Sequence, residues 1–587
     1  MSNWNLKKLY PSFDSKEFQE DLKRLDVIIE GLNGFKGRFA EHTETLEGYL
    51  KNLIEYNQVE GKLGTFSFLS ESINTSDEDA IKYINYLMNR EADIAEVRTM
   101  GEKWIAGLDI QRMAEESSFI GEHIFYLNEI KERERYALDE KTEVLLSKLS
   151  QSGGKAWSNL QGLLTSTLDV DMEGEGKTIT LSEVRNLAYH KESSVRKAAF
   201  EAEIKSYEKI EKAIASALNS IKGEVNTITE FRGYSSPIEK TLIDSRMTQD
   251  TLDKLLIAIK EYLPHFRRYL KRKAEILGYS KGLPFYELFA PIGNVDKVFT
   301  IEEAQAYILE NFSSFSGRLA GVARRAFDEE WIDYCPKKGK VGGAFCANIP
   351  PIKESRILSN FTGSFSDVLT LAHELGHAYH GECIFAESPL NTDYTMPVAE
   401  TASIMCETIV MKRALSDASD EEKIFLLESS LQDITQVAVD ILSRYIFEES
   451  VFNERRDTVL SSDQLKNLMV EAQKATYGEV MDEELLHPYM WINKGHYYRP
   501  SLNFYNFPYA FGALFGRGLY SQYLRDREEF VPKYDNLLRL TGQKTVEEAA
   551  QLADIDVTDI QFWRSSLDQV KEDIDLFLEL TEGLVGN

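Results

Sequence analysis

A mainly α fold with a small β element beside one histidine-bearing helix is what the sequence predicts, and three observations carry that expectation. Only Pro11 occurs before Pro237, and the other thirteen prolines follow; because interior proline breaks helices, the first part of the chain is free to form long ones. Apolar residues recur at three- and four-residue intervals, with charges between them, in 17–35, 77–100, 193–221, 421–454 and 557–581, the pattern of amphipathic helices whose charges sit on a solvated face. Only two stretches, 168–186 and 336–364, carry short β-type runs among glycines and prolines.

Taken in order, the long helices of 17–100 come first. In LDVDMEGEGKTITLSEVRN (168–186) two alternating runs flank EGEG, which predicts a hairpin, and Thr180 with Glu183 forms a capping-box start for the next helix. The segment GEGKT is not a phosphate-binding loop, since Asp171 stands where that loop needs a glycine. In 336–364 one or two small strands are expected, followed by the histidine helix and further helices to the C-terminus. The expected division is an N-terminal helical region over 1–115, a helical and hairpin lobe over 116–204, and a catalytic domain over 205–587.

Composition narrows the function. The net charge of −29, from 67 Lys and Arg against 96 Asp and Glu, repels a phosphate backbone and argues against nucleic acid as partner. There is no apolar run long enough for a signal peptide or a membrane span, so a cytoplasmic protein without membrane contact is expected. Cys335, Cys346, Cys383 and Cys406 form no CxxC pair and read as isolated thiols in a reducing compartment.

Three of the nine histidines lie in TLAHELGHAYHGE, residues 370–382. Positions i and i+4 of a helix share a face, ~6 Å apart along the axis, so His373 and His377 can grip one Zn²⁺ at ~2.0–2.1 Å each. Glu374 falls beside them, where a carboxylate serves as general base for a metal-activated water. His380, ~10.5 Å beyond His373, is too far along for the same ion and is expected to pack or to support the site. A catalytic zinc needs a third protein ligand, and the candidates are Glu382, Glu387, Asp393, Glu400 and Glu407. Pro397 fits the start of a new helix on which Glu400, Ser403 and Glu407 share a face, and an acid on a packed helix is better held than one on a loop. Glu400 is therefore the expected third ligand and Glu407 a carboxylate that orients a ligating imidazole. The three-histidine pattern HExxHxxGxxH is excluded by His380 and Cys383, and an acid some twenty residues past His377 by Met396 and Pro397.

With FSDVLTLAHELGHAYH followed by MPVAETASIMCETI, GKVGGAFCANIPP and LSNFTGS upstream, and HPYMWINKGHYYRPSLNFYNFPYAFG downstream, the sequence resembles the thimet oligopeptidase and oligoendopeptidase F family of zinc metallopeptidases, on its bacterial oligoendopeptidase F side. The likeness spans roughly 205–580. It implies a two-lobed helical body with a deep channel between the lobes, one zinc per chain held by His373, His377 and Glu400, Glu374 as catalytic acid and base, and internal cleavage of short unstructured peptides. It implies further that the segment Gly342 to Asn348, with Gly342, Gly343, Ala344 and Phe345 foremost, holds the substrate backbone by β-addition. Among His496, Tyr497, Tyr498, Tyr505 and Tyr509, the resemblance points to His496, Tyr505 and Tyr509 as stabilisers of the oxyanion. Phe507 stands where a hydroxyl is expected, so which tyrosine acts stays open. Two rivals remain: a metallocarboxypeptidase holding a terminal carboxylate on Arg499 or Lys494, and a zinc-bearing peptide-binding protein, against which the intact Glu374 argues.

Overall fold

The periodic stretches fold as helices whose ends carry the capping groups the sequence contains. The computed structural model describes residues 4–172, 176–293 and 298–584. Lys16–Asn33, Thr43–Ile73 and Glu78–Ala106 are helical; Asp77 caps the third through its side chain, which accepts from the Ala80 amide at 2.9 Å. The apolar stripes of these three helices meet in an aromatic core, with Phe18 edge-on to Tyr10 at 5.0 Å and to Tyr83 at 4.8 Å.

Strands are few. A hairpin pairs β1 (Asp169–Met172) with β2 (Lys177–Thr180) antiparallel, and the expected Thr180–Glu183 capping box follows it; the turn residues 173–175 lie outside the described residues. A three-stranded sheet contains β3 (Ile332–Asp333), β4 (Phe345–Ile349) and β5 (Glu354–Leu358). Its order is β3-β5-β4, with β3 parallel and β4 antiparallel to β5. β4 is thus an outer strand, paired on one edge only among the described residues.

Three expectations shift. The glycine segment is not strand from Gly342; pairing starts at Phe345, because Gly343 takes a φ of +78° that no strand residue adopts. The helix begun by Pro397 is broken into Met396–Ala399 and Thr401–Asp417, with Glu400 at the break. The stretch 421–454 carries a π-helical turn, Gln436–Asp440, between Asp420–Thr435 and Ile441–Glu454.

The chain divides into two compact units that cut across the expected boundaries at 115 and 204. Unit 1 comprises Met1–Tyr136, Lys297–Arg413 and Gln522–Ile555; unit 2 comprises Ala137–Asp296, Ala414–Ser521 and Asp556–Asn587. In unit 1 the N-terminal helices back the sheet, since Ile349 and Leu358 join their core. Unit 2 packs Gln249–Ile276 against Ile560–Leu580 and buries the ion pairs Lys222–Glu448, at 2.6 Å, and Lys273–Glu428, at 2.5 Å. No described helix is long and apolar enough to cross a membrane.

Candidate metal centre

The histidine helix, Phe365–Ile384, is fixed at its start by a capping box between Ser364 and Asp367. The Asp367 carboxylate also accepts from the Thr362, Gly363 and Ser364 amides at 2.8–3.0 Å. Burial works against its ionisation, but these bonds prevail and hold it below the usual carboxylate range. β4 and β5 pack on the helix; Asn348 of β4 donates to the His377 carbonyl at 3.2 Å and is itself held by Ser355 at 2.7 Å.

On this helix the two imidazoles stand 4.8 Å apart between centroids, at 80°. Their Nε2 atoms are 3.1 Å apart, and Glu400 Oε2 lies 3.3 Å from His373 Nε2 and 3.4 Å from His377 Nε2. The three donors fit a metal: ligands at ~2.0–2.1 Å in a tetrahedron stand about 3.3 Å from one another. Among the described residues, this trio is the His, Cys, Asp and Glu group able to hold an ion.

Each donor is aimed from behind. Glu407 Oε1 takes His373 Nδ1 at 2.6 Å, which places the proton on Nδ1 and leaves the Nε2 lone pair for a metal. Ser403, fully buried, donates to Glu400 Oε2 at 2.6 Å and reaches the Glu400 carbonyl at 3.1 Å, the carbonyl that also accepts the helical bond of the Ile404 amide at 3.0 Å. Gly376 lets the two helices meet, since a Cβ there would stand 2.5 Å from the Ala402 carbonyl oxygen and 2.6 Å from Ser403 Cα.

The electrostatics follow from burial and crowding. Burial opposes charge on His373, but its bonds to Glu400 and Glu407 outweigh that and raise it to about 10. Burial pushes its neighbour His377 down to about 4, so without metal the pair carries one proton in excess of two neutral imidazoles, on His373, which a cation must displace from Nε2. Burial also opposes ionisation of Glu400, yet the His373 bond and both imidazoles bring it to about 2. Glu374 is 6 % exposed, its Oε2 has no partner among the described residues, and burial lifts it to about 7, in the range suited to proton transfer at neutral pH.

The remaining candidates sort by surroundings. His380 is fully buried, bonded through Nε2 to Thr541 at 2.9 Å and stacked on Tyr394 at 4.2 Å. Glu382 pairs with Arg325 at 3.1 Å and Glu387 with Arg539 at 2.7 Å, which occupies both acids elsewhere. Gly342, Gly343 and Ala344 precede β4, and the Asn360 amide pins this loop through the Val341 and Gly343 carbonyls at 3.1 and 2.7 Å; Phe345 opens the strand. His496, Tyr505 and Tyr509 gather in unit 2: the His496 and Tyr505 rings are 5.5 Å apart, Tyr505 and Tyr509 share a hydroxyl hydrogen bond, and Asn506 Nδ2 meets His496 Nε2 at 2.8 Å. Burial and the nearby Arg444 hold His496 neutral, at about 3. Tyr497 and Tyr498 are fully buried and bond backbone carbonyls, which marks them as packing residues. No role was read from sequence for Ser403, Asn348, Gly376 or Asn506, although Ser403 lay on the face shared by Glu400 and Glu407 and Gly376 was a small residue between the histidines.

The profile of peptidase family M3 matches residues 186–568, and that of the oligopeptidase F N-terminal region matches 109–169. Oligopeptidase PepF of Bacillus subtilis is 23 % identical, covering 98 % of this chain and 87 % of the relative. Group B oligopeptidase PepB of Streptococcus agalactiae is 22 % identical, covering 95 % and 94 %. In fold, a putative peptidase from Chlamydophila abortus superposes with a TM-score of 0.85 at 19 % identity, covering 98 % of each chain. Oligoendopeptidase-F from Enterococcus faecium does so with 0.72 at 18 % identity, covering 97 % and 99 %.

Proposed function

We propose that this chain, which belongs to peptidase family M3, is a zinc-dependent oligoendopeptidase that cuts short unstructured peptides internally. The observation that carries the reading is the convergence of His373 Nε2, His377 Nε2 and Glu400 Oε2 at 3.1–3.4 Å from one another. A Zn²⁺ held there supplies Lewis-acid polarisation of the scissile carbonyl and acidification of the attacking water.

In this reading Glu374 accepts the water's proton and hands it to the leaving amine, a shuttle that suits a carboxyl whose proton affinity lies near neutrality. Glu407 keeps His373 in the tautomer that ligates, and Ser403 keeps the Glu400 carboxylate in place. The edge of β4 left unpaired among the described residues, with Gly342, Gly343, Ala344 and Phe345 at its entrance, holds an extended peptide backbone by strand addition. A peptide must be extended to add there, which excludes folded proteins. Neutral His496, with Tyr505 and Tyr509, donates hydrogen bonds to the developing oxyanion. The relatives named as oligopeptidases support the substrate class, and action in the cytoplasm belongs to the same reading.

The test is mass spectrometry of products from peptides blocked at both ends, with and without a chelator. Internal cuts that vanish on chelation are expected. Hydrolysis only of peptides with a free C-terminus would shift the assignment to a metallocarboxypeptidase.

A further inference from the structure

Unit 2 contains a cavity of about 290 Å³ lined by none of the metal-centre residues nor by His496, Tyr505 or Tyr509, although Arg444 and Lys494 in its lining neighbour His496; the volume is close to the lower end of the ~300–1,000 Å³ of small-ligand sites. Its lining combines apolar rings, among them Phe200 and Phe285, with the charged residues Arg185, Arg444 and Lys494, and the π-helical turn Gln436–Asp440 contributes to it. Single π turns inside helices recur at functional sites.

Arg196, in the lining, is engaged by Glu287 at 3.0 Å through Nε. Glu203 accepts from Tyr207 at 2.8 Å and faces Arg185 at 3.7 Å. Arg444 pairs with Asp440 through its terminal nitrogen, but its buried Nε has no partner among the described residues. Lys494 has no hydrogen-bonded or ion-pair partner there either, and burial beside Arg444 drops it to about 7. His487, 2 % exposed, stands between Phe200 at 5.6 Å and Phe285 at 5.3 Å, with its Nε2 3.5 Å from Glu203 Oε1 and its Nδ1 unpartnered among the described residues. Buried polar groups are ordinarily satisfied, so the orphans Arg444 Nε and His487 Nδ1, together with the half-buried and unpartnered Lys494, make three groups on one cavity that call for a missing partner. Two of the three are cationic donors, whereas Glu203 and Asp440 are already engaged. The missing partner is therefore an acceptor, and the neighbouring rings require that it carry apolar surface.

We propose that this cavity is a second ligand site, for an organic carboxylate of about amino-acid size that bears an aromatic or branched apolar group. Lys494 and Arg444 Nε take the carboxylate, and Phe200 and Phe285 cover the apolar part. The proposal deepens the peptidase reading and rests on it for the source of the ligand, because each internal cut frees a new C-terminal carboxylate. A free amino acid offers the same chemistry.

Calorimetric binding of N-acetyl-L-phenylalaninate to the full-length, metal-loaded Glu374→Gln protein tests the site without turnover. One saturable site per chain is expected, with at least a 10-fold loss in Lys494→Met, retention in Lys494→Arg, and at least a 10-fold preference over the uncharged N-acetyl-L-phenylalaninamide. Binding should persist in His377→Ala, which separates this cavity from the metal centre whatever the fate of the peptidase reading. Comparing Ala-Ala-Phe with phenylalanine then tells a peptide end from a free amino acid. Absence of saturable binding, equal binding by Lys494→Met, equal binding of the amide, or loss in His377→Ala would each overturn the proposal.

Discussion

Gly376→Ala isolates the close approach of two helices that brings Glu400 to the histidines. A Cβ at 376 would stand 2.5 Å from the Ala402 carbonyl oxygen and 2.6 Å from Ser403 Cα, against an ordinary contact that begins at 3.4 Å. The obstacle is backbone on a packed helix, so the Thr401–Asp417 helix must retreat by about 0.8 Å to restore van der Waals separation. Glu400 immediately precedes that helix and moves with it. Metal ligation tolerates errors of about 0.2 Å, so a displacement several times larger should weaken zinc binding roughly 10²-fold, about 2.7 kcal/mol. Alanine gains up to ~1 kcal/mol of helix propensity over glycine, whereas overpacking costs ~1–3 kcal/mol; the metal-free variant should therefore be slightly less stable or unchanged. Competition with a chromophoric chelator measures the affinity, and circular dichroism confirms the fold. A folded Gly376→Ala protein that binds zinc within about threefold of the parent, under 1 kcal/mol of difference, would refute the reasoning.

Other perturbations follow from the same geometry. Glu374→Gln should retain zinc while turnover falls by ~10²–10⁴-fold, checked by metal analysis alongside peptide hydrolysis; substantial hydrolysis by the loaded variant would remove Glu374 from its role. Ser403→Ala, which frees the Glu400 carboxylate from its 2.6 Å hydrogen bond, should weaken zinc binding ~10–100-fold with little change in fold, read by the same competition assay. His380, fully buried and held at about 3, takes up its proton only in the unfolded chain as pH drops below the ordinary histidine value of ~6.5. Its contribution is present above that value and is lost progressively toward pH 3, by a ceiling of roughly 5 kcal/mol; denaturant midpoints measured at pH 7, 5 and 4 should fall less steeply in a folded His380→Leu variant. Glu448→Ala strands Lys222, whose burial already lowers its proton affinity, and should cost ~3–5 kcal/mol in the same unfolding assay.

Much of this was written in local pattern. Helical periodicity and capping pairs such as Thr180 with Glu183 act within a few residues, which is why the helices and the hairpin could be read directly. The i, i+4 spacing of His373 and His377 likewise fixes one face, and the convergence with Glu400 needed only the further argument that an acid beside a packed helix is well held. What local pattern could not express depends on distant contacts. The break at Glu400, whose carboxylate and carbonyl Ser403 holds, falls within a stretch that sequence periodicity reads as a continuous helix. The contact of Gly376 with Ala402, the clamp of Asn348 on His377 and the link from Asn506 to His496 join segments whose meeting no periodicity specifies. The units draw on three separated segments each, a division invisible to a reading that proceeds along the chain. The cavity at Lys494 escaped for the same reason, since its lining comes from stretches around 185–203, 285–289, 432–444 and 487–494.

The most direct test of the central claim is an anomalous difference map, collected across the zinc absorption edge, from crystals of the zinc-loaded protein. The account predicts one strong peak per chain at ~2.0–2.2 Å from His373 Nε2, His377 Nε2 and a Glu400 carboxylate oxygen. A peak held by other residues, or none at these three in a protein that hydrolyses end-blocked peptides, would contradict it.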